Sequence, residues 1–384
     1  MPVSHRNRLV ATISNSPGTS GALTISAAQS GYRSFVAGDD GLTFDVSIVD
    51  GTAWEVRTGC TYTHSGTSLS RGTLEDSSTG SAINLTSAAV VTATPSAGLF
   101  NALERALQAV TPGGRLTLES GVPVSASDQT AKTTLYFTPY AHNTILLWDG
   151  SEWAPTTFAE TSLALGTLTS GQCYDVFGYL SAGALALELL AWTNATTRAT
   201  AVTLQDGRYC KSGDKTRLLL GTLYTASTTT TEDSAAKRYL CNVYNRVPRR
   251  LTKTESTDTW TYSSNTVRQA NANSGNQVEI VASLTDHLMS LEMLCCAYSS
   301  NNNYFSASIG EDSTTAYSSD AISAQGGGVT SALVSLMAHV EKFPAVGRHY
   351  YAWLERANGS SISATFAATS SGVRIGGLNG SILA

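Results

Sequence analysis

The chain has 384 residues and a formal net charge of −5, with 42% hydrophobic but only 14% charged residues. That length allows two or three domains with separate cores, and apolar residues spread along the whole chain exclude a disordered protein. The acidic balance argues against a phosphate-binding surface, so nucleic acid is not an expected partner. No apolar run reaches membrane length, so membrane insertion is not expected either.

The opening "MPVSHRNRLVATISNS" lacks the apolar core of a secretory signal. Cys60, Cys173, Cys210, Cys241, Cys295 and Cys296 show no C-x-x-C and no regular spacing. Reduced, buried thiols and folding in a reducing cytoplasm follow from that pattern.

Residues 1–95 read as short strands separated by turns, as in "GYRSFVAGDDGLTFDVSIVDG" and "SAINLTSAAVVTATP". "AGDDGLTFD" lacks the spacing of a calcium loop and reads as a turn. In "DGTAWEVRTGCTYTHSGTSLSR", Asp50 to Arg71, alternate residues form two rows. Trp54, Val56, Thr58, Cys60, Tyr62 and His64 make the apolar row, and Glu55 falls on the opposite face. Cys60 and His64 are then four strand steps and roughly 13 Å apart, too far for a dyad or a shared metal.

Residues 96–112 predict the one helix, "SAGLFNALERALQAVTP", capped by Ser96 and ended by Pro112 and the glycines after it. Phe100, Leu103, Leu107 and Val110 recur at spacings of three, four and three, an a/d seam. The helix either packs alone on a β-domain, aided by Leu99 and Ala106, or forms the short neck of an oligomer.

Residues 113–251 carry strand-like runs such as "TAKTTLYFTPY", "GALALELLAW" and "KRYLCNVYNRV". Asp149-Gly150, Asp206-Gly207 and Ser212-Gly213-Asp214 supply hairpin turns. Trp148, Trp153 and Trp192 read as core fillers. Polar "LTKTESTDTWTYSSNT" reads as a linker or exposed hairpin over 252–266, and 267–384 returns to short strands, with "ALVSLMAHVEKF" alternating cleanly. The expected class is mainly β: tandem β-sandwich or jelly-roll-like domains with one short helix as a possible trimeric neck.

Few stretches of the sequence carry chemistry. G-x-S-x-G, H-E-x-x-H, P-loop and dinucleotide patterns are missing. "GGGVTS" at Gly326 reads as a loop. His339 and His349 flank a Pro-containing turn where they could meet across a hairpin, which is an incomplete metal site at best. Glu311 and Asp312 are carboxylates in a loop, and vicinal Cys295 and Cys296 should face opposite ways. No catalytic residue, metal or cofactor is expected.

The N-terminal "GYRSFVAGDDGLTFDVSIVDGTAWEVRTGCTYTHSGTSLSRGTLEDSSTGSAINL" resembles the virion-attachment domain of tailed-bacteriophage fibre proteins. Its resemblance rests on the W-E-V triplet Trp54-Glu55-Val56 and the S-G-T-x-L-x-R turn from Ser65 to Arg71. "LTLESGVPVSASDQTAKTTLYFTPY" and "TEDSAAKRYLCNVYNRVPR" are similar to a domain of phage tail and head fibres, and "FPAVGRHYYAWLE" with "GGLNGSILA" to the distal β-sandwich of such fibres. The resemblance implies a virion protein assembled in the host cytoplasm as a homotrimer; it leaves tail or capsid open, and the tail or baseplate is the preferred place. Its N-terminal domain would bind other virion proteins and its C-terminal domain a host surface polysaccharide or receptor. A head fibre or capsid decoration protein is the alternative, and a glycan-cleaving tailspike ranks third, for want of a β-helix repeat. Long coiled coils, collagen-like repeats and the H-x-H iron motif of many fibres are missing from this sequence.

Recognition residues are expected on loops of the outward block. In "SSNNNYF", Asn301, Asn302 and Asn303 are amide donors and acceptors beside Tyr304 or Phe305 as a flat apolar surface, a combination suited to polysaccharide. Phe305 is equally readable as the first core residue of the next strand. Tyr317 joins the set if its loop folds beside the first.

Overall fold

The computed structural model describes residues 8–100, 103, 111–299, 304–327, 332–359, 363–368 and 375–384. The chain is mainly β and divides into two compact units, Met1–Leu107 and Gln108–Ala384. Among the described residues no helix is long and apolar enough to cross a membrane.

The first unit has seven strands: β1 (Val10–Ile13), β2 (Leu23–Ala28), β3 (Thr43–Asp50), β4 (Ala53–Thr63), β5 (Ser68–Leu69), β6 (Thr73–Ser77) and β7 (Val90–Ala93). Their antiparallel order β3-β7-β1-β2-β5-β4-β6 returns on itself through a β3–β4 pairing, so six strands form a closed ring and β6 lies along β4. Closure leaves few free edges to aggregate. Inside, Phe35 stacks on Tyr62 at 4.8 Å and meets Phe44 edge-on at 5.2 Å.

Strand β4 departs from the alternation expected of it. Phe44 pairs with Cys60 and Val46 with Arg57, so two steps on β3 oppose three on β4. Gly59 takes up the extra residue at φ +67°, a conformation suited to glycine. The bulge switches the inward row, so Cys60 and Tyr62 are buried but so are Glu55 and Arg57, while Trp54 is 38% exposed. Glu55 therefore shares the inner side with Cys60, contrary to the simple two-row reading.

Both Glu55 oxygens are fully used. Arg57 donates from Nε and Nη2 at 3.0 Å each, Arg71 from Nε at 2.7 and Nη2 at 2.9 Å, and the Ile83 amide at 3.2 Å. Burial alone would raise the carboxyl pKa, but the bonds from Arg71, Arg57 and Ile83 hold it below the usual range. Arg71 also donates to the Gly18 and Ile83 carbonyls, tying three loops to one ion cluster.

Ser96 caps the start of the helix: its Oγ accepts the Leu99 amide at 3.0 Å. Residues 97–100 and 103 are helical, and Phe100 and Leu103 are 56% and 54% exposed. The other two expected neck residues, Leu107 and Val110, lie outside the described residues.

In the second unit, a six-stranded sheet carries the hairpin Val202–Gln205 and Arg208–Lys211, joined by Asp206 and Gly207 at φ 51° and 77°. Two left-handed residues make the turn whose twist suits a hairpin. Leu116, Phe137, Leu147, Val176 and Leu218 form the adjoining core. Trp192 is buried as expected. Trp153 is half-buried and packs against that core, whereas Trp148 is half-buried outside it; the two rings are 5.6 Å apart edge-on, with Lys215 over Trp148 at 4.6 Å and Arg208 over Trp153 at 4.9 Å.

Two further sheets face each other across the largest core, which includes Trp260, Leu291, Leu336, Trp353 and Phe366. One runs Pro248–Thr254, Gly377–Leu383, Met289–Ser299, Val334–Lys342, Ile322–Ser323, with Ala364–Ala367 and Thr259–Tyr262 attached. The other runs from Gln325–Gly326 through Phe305–Glu311, Gly347–Ala357 and Gln277–Ala282 to Lys237–Arg238, Thr231–Asp233 and Gln129–Lys132.

Two expectations change here. Residues 252–266 are not a linker: Pro248–Thr254 pairs over seven residues with Gly377–Leu383, and Thr259–Tyr262 pairs with Ala364–Ala367. Their polar character is that of strands with an outward face, since Leu251 and Trp260 point into the core. The blocks 113–251 and 267–384 also share a sheet, because Lys237–Arg238 runs parallel to Gln277–Ala282.

Candidate functional site

The expected recognition loop joins Met289–Ser299 to Phe305–Glu311. Asn301, Asn302 and Asn303 lie outside the described residues. Tyr304 is 57% exposed, whereas Phe305 is 3% exposed and meets Phe366 edge-on at 6.4 Å. Successive residues of a strand face opposite ways, so the core takes Phe305 and the surface takes Tyr304.

The glycine run first read as a loop provides the bed for both rings. Gln325–Gly326 is a short strand pairing Phe305 with Gly326. A Cβ on Gly326 would stand 2.6 Å from Phe305 Cε2, and one on Gly327 would stand 2.6 Å from Tyr304 Cδ1. Any side chain at 327 would push the Tyr304 ring off the backbone it lies against.

Tyr317 folds back beside this strand but serves it differently. Its hydroxyl bonds Ser306 Oγ at 3.0 Å, and the Ser318 amide donates to the Ile309 carbonyl at 2.9 Å. The ring is half-buried, and burial raises the phenol pKa. Tyr317 thus pins its loop, and Tyr304 is the aromatic left open to a ligand.

The ends of that loop are held by charge. Asp312, at φ 48°, accepts from His349 Nδ1 at 2.6 Å and from the Tyr350 amide at 3.0 Å. Burial opposes a charge on His349, yet its bond to Asp312 and that carboxylate's charge raise its pKa. Burial likewise works against Asp312, and the His349 and Tyr350 bonds lower its pKa. Lys342 bridges Glu311 at 2.8 Å and Asp320 at 2.5 Å.

The other candidates do not come together. His339 and His349 lie in different sheets: His339 pairs with Glu292 and His349 with Ile280. Cys295 is buried and Cys296 half-buried, facing opposite ways. Cys60 is enclosed, and burial pushes its thiol up to about 12, while His64 bonds Tyr62 at 3.5 Å. Among the described residues no three His, Cys, Asp or Glu side chains are grouped to hold a metal.

One pairing escaped the sequence reading. Cys241 Sγ lies 3.3 Å from His287 Nδ1, both residues at 0% exposure. His287 also contacts the Leu383 carbonyl at 3.1 Å and accepts the Leu284 amide at 3.3 Å. Burial opposes both charges, but mutual attraction lowers the thiol pKa and raises that of the imidazole. Neither group reaches a surface where a substrate could sit, so the pair ties the strand Leu240–Asn242 to the loop before Met289. Forty-six residues separate the two, and no local motif marks them.

No protein-family model and no curated protein matches the chain. Among solved structures, a tryptic core variant of Bacillus thuringiensis Cry1Da aligns at 7% identity over 73% of this chain, with a TM-score of 0.16. The alignment spans 54% of that structure, and a likeness so low carries no argument about fold or function.

Proposed function

We propose that the chain is a bacteriophage virion protein, a homotrimeric tail fibre or baseplate-attached receptor-binding protein without catalytic activity, cofactor or metal. Its tandem β-domains would be sandwich or jelly-roll-like, joined by a neck in which the exposed Phe100 and Leu103 meet their counterparts. The first unit would dock on other virion proteins, and the second would meet polysaccharide or another receptor on the host surface. Support for the virion assignment comes from the Trp54-Glu55-Val56 and Ser65-to-Arg71 motifs.

The observation that carries receptor binding is Tyr304. A 57% exposed ring backed by Gly327, at the start of a core strand, is a rigid flat surface of the kind that stacks on a sugar ring. The test is competition: purified full-length chain should block adsorption of its phage to host cells, and the Tyr304→Ala chain should block less well. A trimeric, folded chain that leaves adsorption untouched would instead favour the capsid-decoration reading, and release of oligosaccharides from host glycan would favour the tailspike.

A further inference from the structure

The sheet that includes Met289–Ser299 and Val334–Lys342 buries one face in the core and leaves the other open. One ladder row on the open face runs Arg250, Ser381, Ser290, Glu341. Strands lie roughly 4.8 Å apart, so Arg250 and Glu341 are about 14 Å apart and cannot pair within one chain. Arg250 is exposed and forms no ion pair among the described residues. Glu341 is 57% exposed, and Glu292 in the next row is 58% exposed; His339 lies between them, at 3.8 and 3.9 Å.

Shape is divided in the same sense. On the Arg250 side lies a cavity of about 240 Å³, walled by Thr254, Glu292, Leu294 and Ile375 over Gly377. On the Glu341 side, Met337 and Ile322 project, 55% and 77% exposed. One margin therefore offers a cation and a socket with Glu292 on its inner wall, the other the Glu341 carboxylate and apolar knobs.

We infer that this face binds a second copy of the same chain, with the Arg250 margin of one against the Glu341 margin of the next. Opposite charges desolvated across such a seam set register, and like charges brought together there are repelled. Met337 filling the socket beside Leu294 adds the apolar contact that a salt bridge alone lacks. The assembly's copy number rests on the trimer proposed above, whereas the contact itself rests on this face.

The test uses the full chain in sedimentation velocity at low salt, with circular dichroism and melting to check each variant's fold. Arg250→Glu and Glu341→Arg should each weaken self-association by about tenfold or more, and the double reversal should restore it. In a Cys296→Ser background, Arg250→Cys with Glu341→Cys should give disulfide-linked chains on oxidation, because about 14 Å is beyond the reach of an intrachain disulfide. A trimer that tolerates both single reversals and does not cross-link overturns the face but not the trimer. A dimer showing loss and rescue supports the face and overturns the trimer. A monomeric unmodified chain overturns both.

Discussion

Arg71 grips Glu55 through Nε at 2.7 Å and Nη2 at 2.9 Å, with the side chains only 4% and 0% exposed. The two are the glutamate of the W-E-V triplet and the arginine that ends the S-G-T-x-L-x-R turn, so the motifs that carry the resemblance meet in one buried ion cluster. Removing Glu55 strands the buried charges of Arg71 and Arg57, at a cost of about 3–5 kcal/mol. Glu55→Ala should destabilise the first unit by that amount in chemical denaturation, and Arg71→Ala by less, because Arg57 still pairs with both Glu55 oxygens. Because Glu55 has a lowered pKa, its contribution is present above the unfolded value of about 4.3 and is lost as pH falls through the folded value. Glu55→Gln should therefore flatten the acid limb of the stability curve.

Thiol reactivity should separate one cysteine from five. Cys60, Cys173, Cys210, Cys241 and Cys295 are buried, and Cys296 is half-buried. Burial pushes Cys60 and Cys173 up to about 12 and Cys210 up to about 11, so none of these three forms thiolate at neutral pH. Native protein should titrate one thiol per chain with a soluble disulfide reagent, denatured protein all six, and Cys296→Ser none when native. Rapid reaction of Cys241 in the native state would mean that the Cys241–His287 pair is accessible after all.

A fragment beginning at residue 267 should not fold. It lacks Pro248–Thr254, which pairs with Gly377–Leu383, and Lys237–Arg238, which borders Gln277–Ala282. Trp260, whose Nε1 donates to buried Glu355 at 2.5 Å, is lost as well. Residues 108–384 should instead give a cooperative melt, and dispersed amide spectra for 267–384 would contradict this.

What could be read in advance was local. Asp206-Gly207 declares its hairpin because both residues tolerate left-handed backbone, and Leu336, Ala338 and Val340 face inward as their alternation requires. The bulge at Gly59 was hidden because one inserted residue reverses every later side chain without changing composition. Thr and Ser in 252–266 resemble a linker because a strand open on one face needs few apolar residues. The bed beneath Tyr304 and the Cys241–His287 contact depend on pairings between distant segments, which no window along the chain contains.

The tether of the Tyr317 loop should depend on pH. His349 has a raised pKa, so its charged bond to Asp312 is present below about 6.5 and lost as pH rises through the higher folded value. Asp312 has a lowered pKa, so its part is present above about 3.9 and lost as pH falls through the folded value. Between these limits, amide exchange of residues 313–321 should be slowest. Exchange should quicken toward alkaline pH beyond the intrinsic trend, and Asp312→Asn should abolish that excess. Equal excess in the variant would show that another group governs the loop.

Tyr304, Phe305 and Tyr317 should part company on mutation although all lie at one end of a strand. Phe305 is 3% exposed in the core, so Phe305→Ala should cost about 3–5 kcal/mol and lower receptor binding only by unfolding the protein. Tyr317→Phe removes one hydroxyl bond to Ser306, a loss of about 1 kcal/mol, and should leave adsorption competition nearly intact. Tyr304 is 57% exposed and makes no buried contact of that size, so Tyr304→Ala should leave the melting temperature within a degree or two. On the receptor-binding proposal its binding loss should nonetheless be the largest of the three, because the exposed ring would be the part a ligand meets. Gly327→Ala is the control that joins structure to binding: its methyl group would displace the Tyr304 ring without removing it. Melting and adsorption competition measured on the same four proteins decide the matter. If Tyr304→Ala and Gly327→Ala compete as well as the unmodified chain, the proposal that Tyr304 is the receptor contact fails.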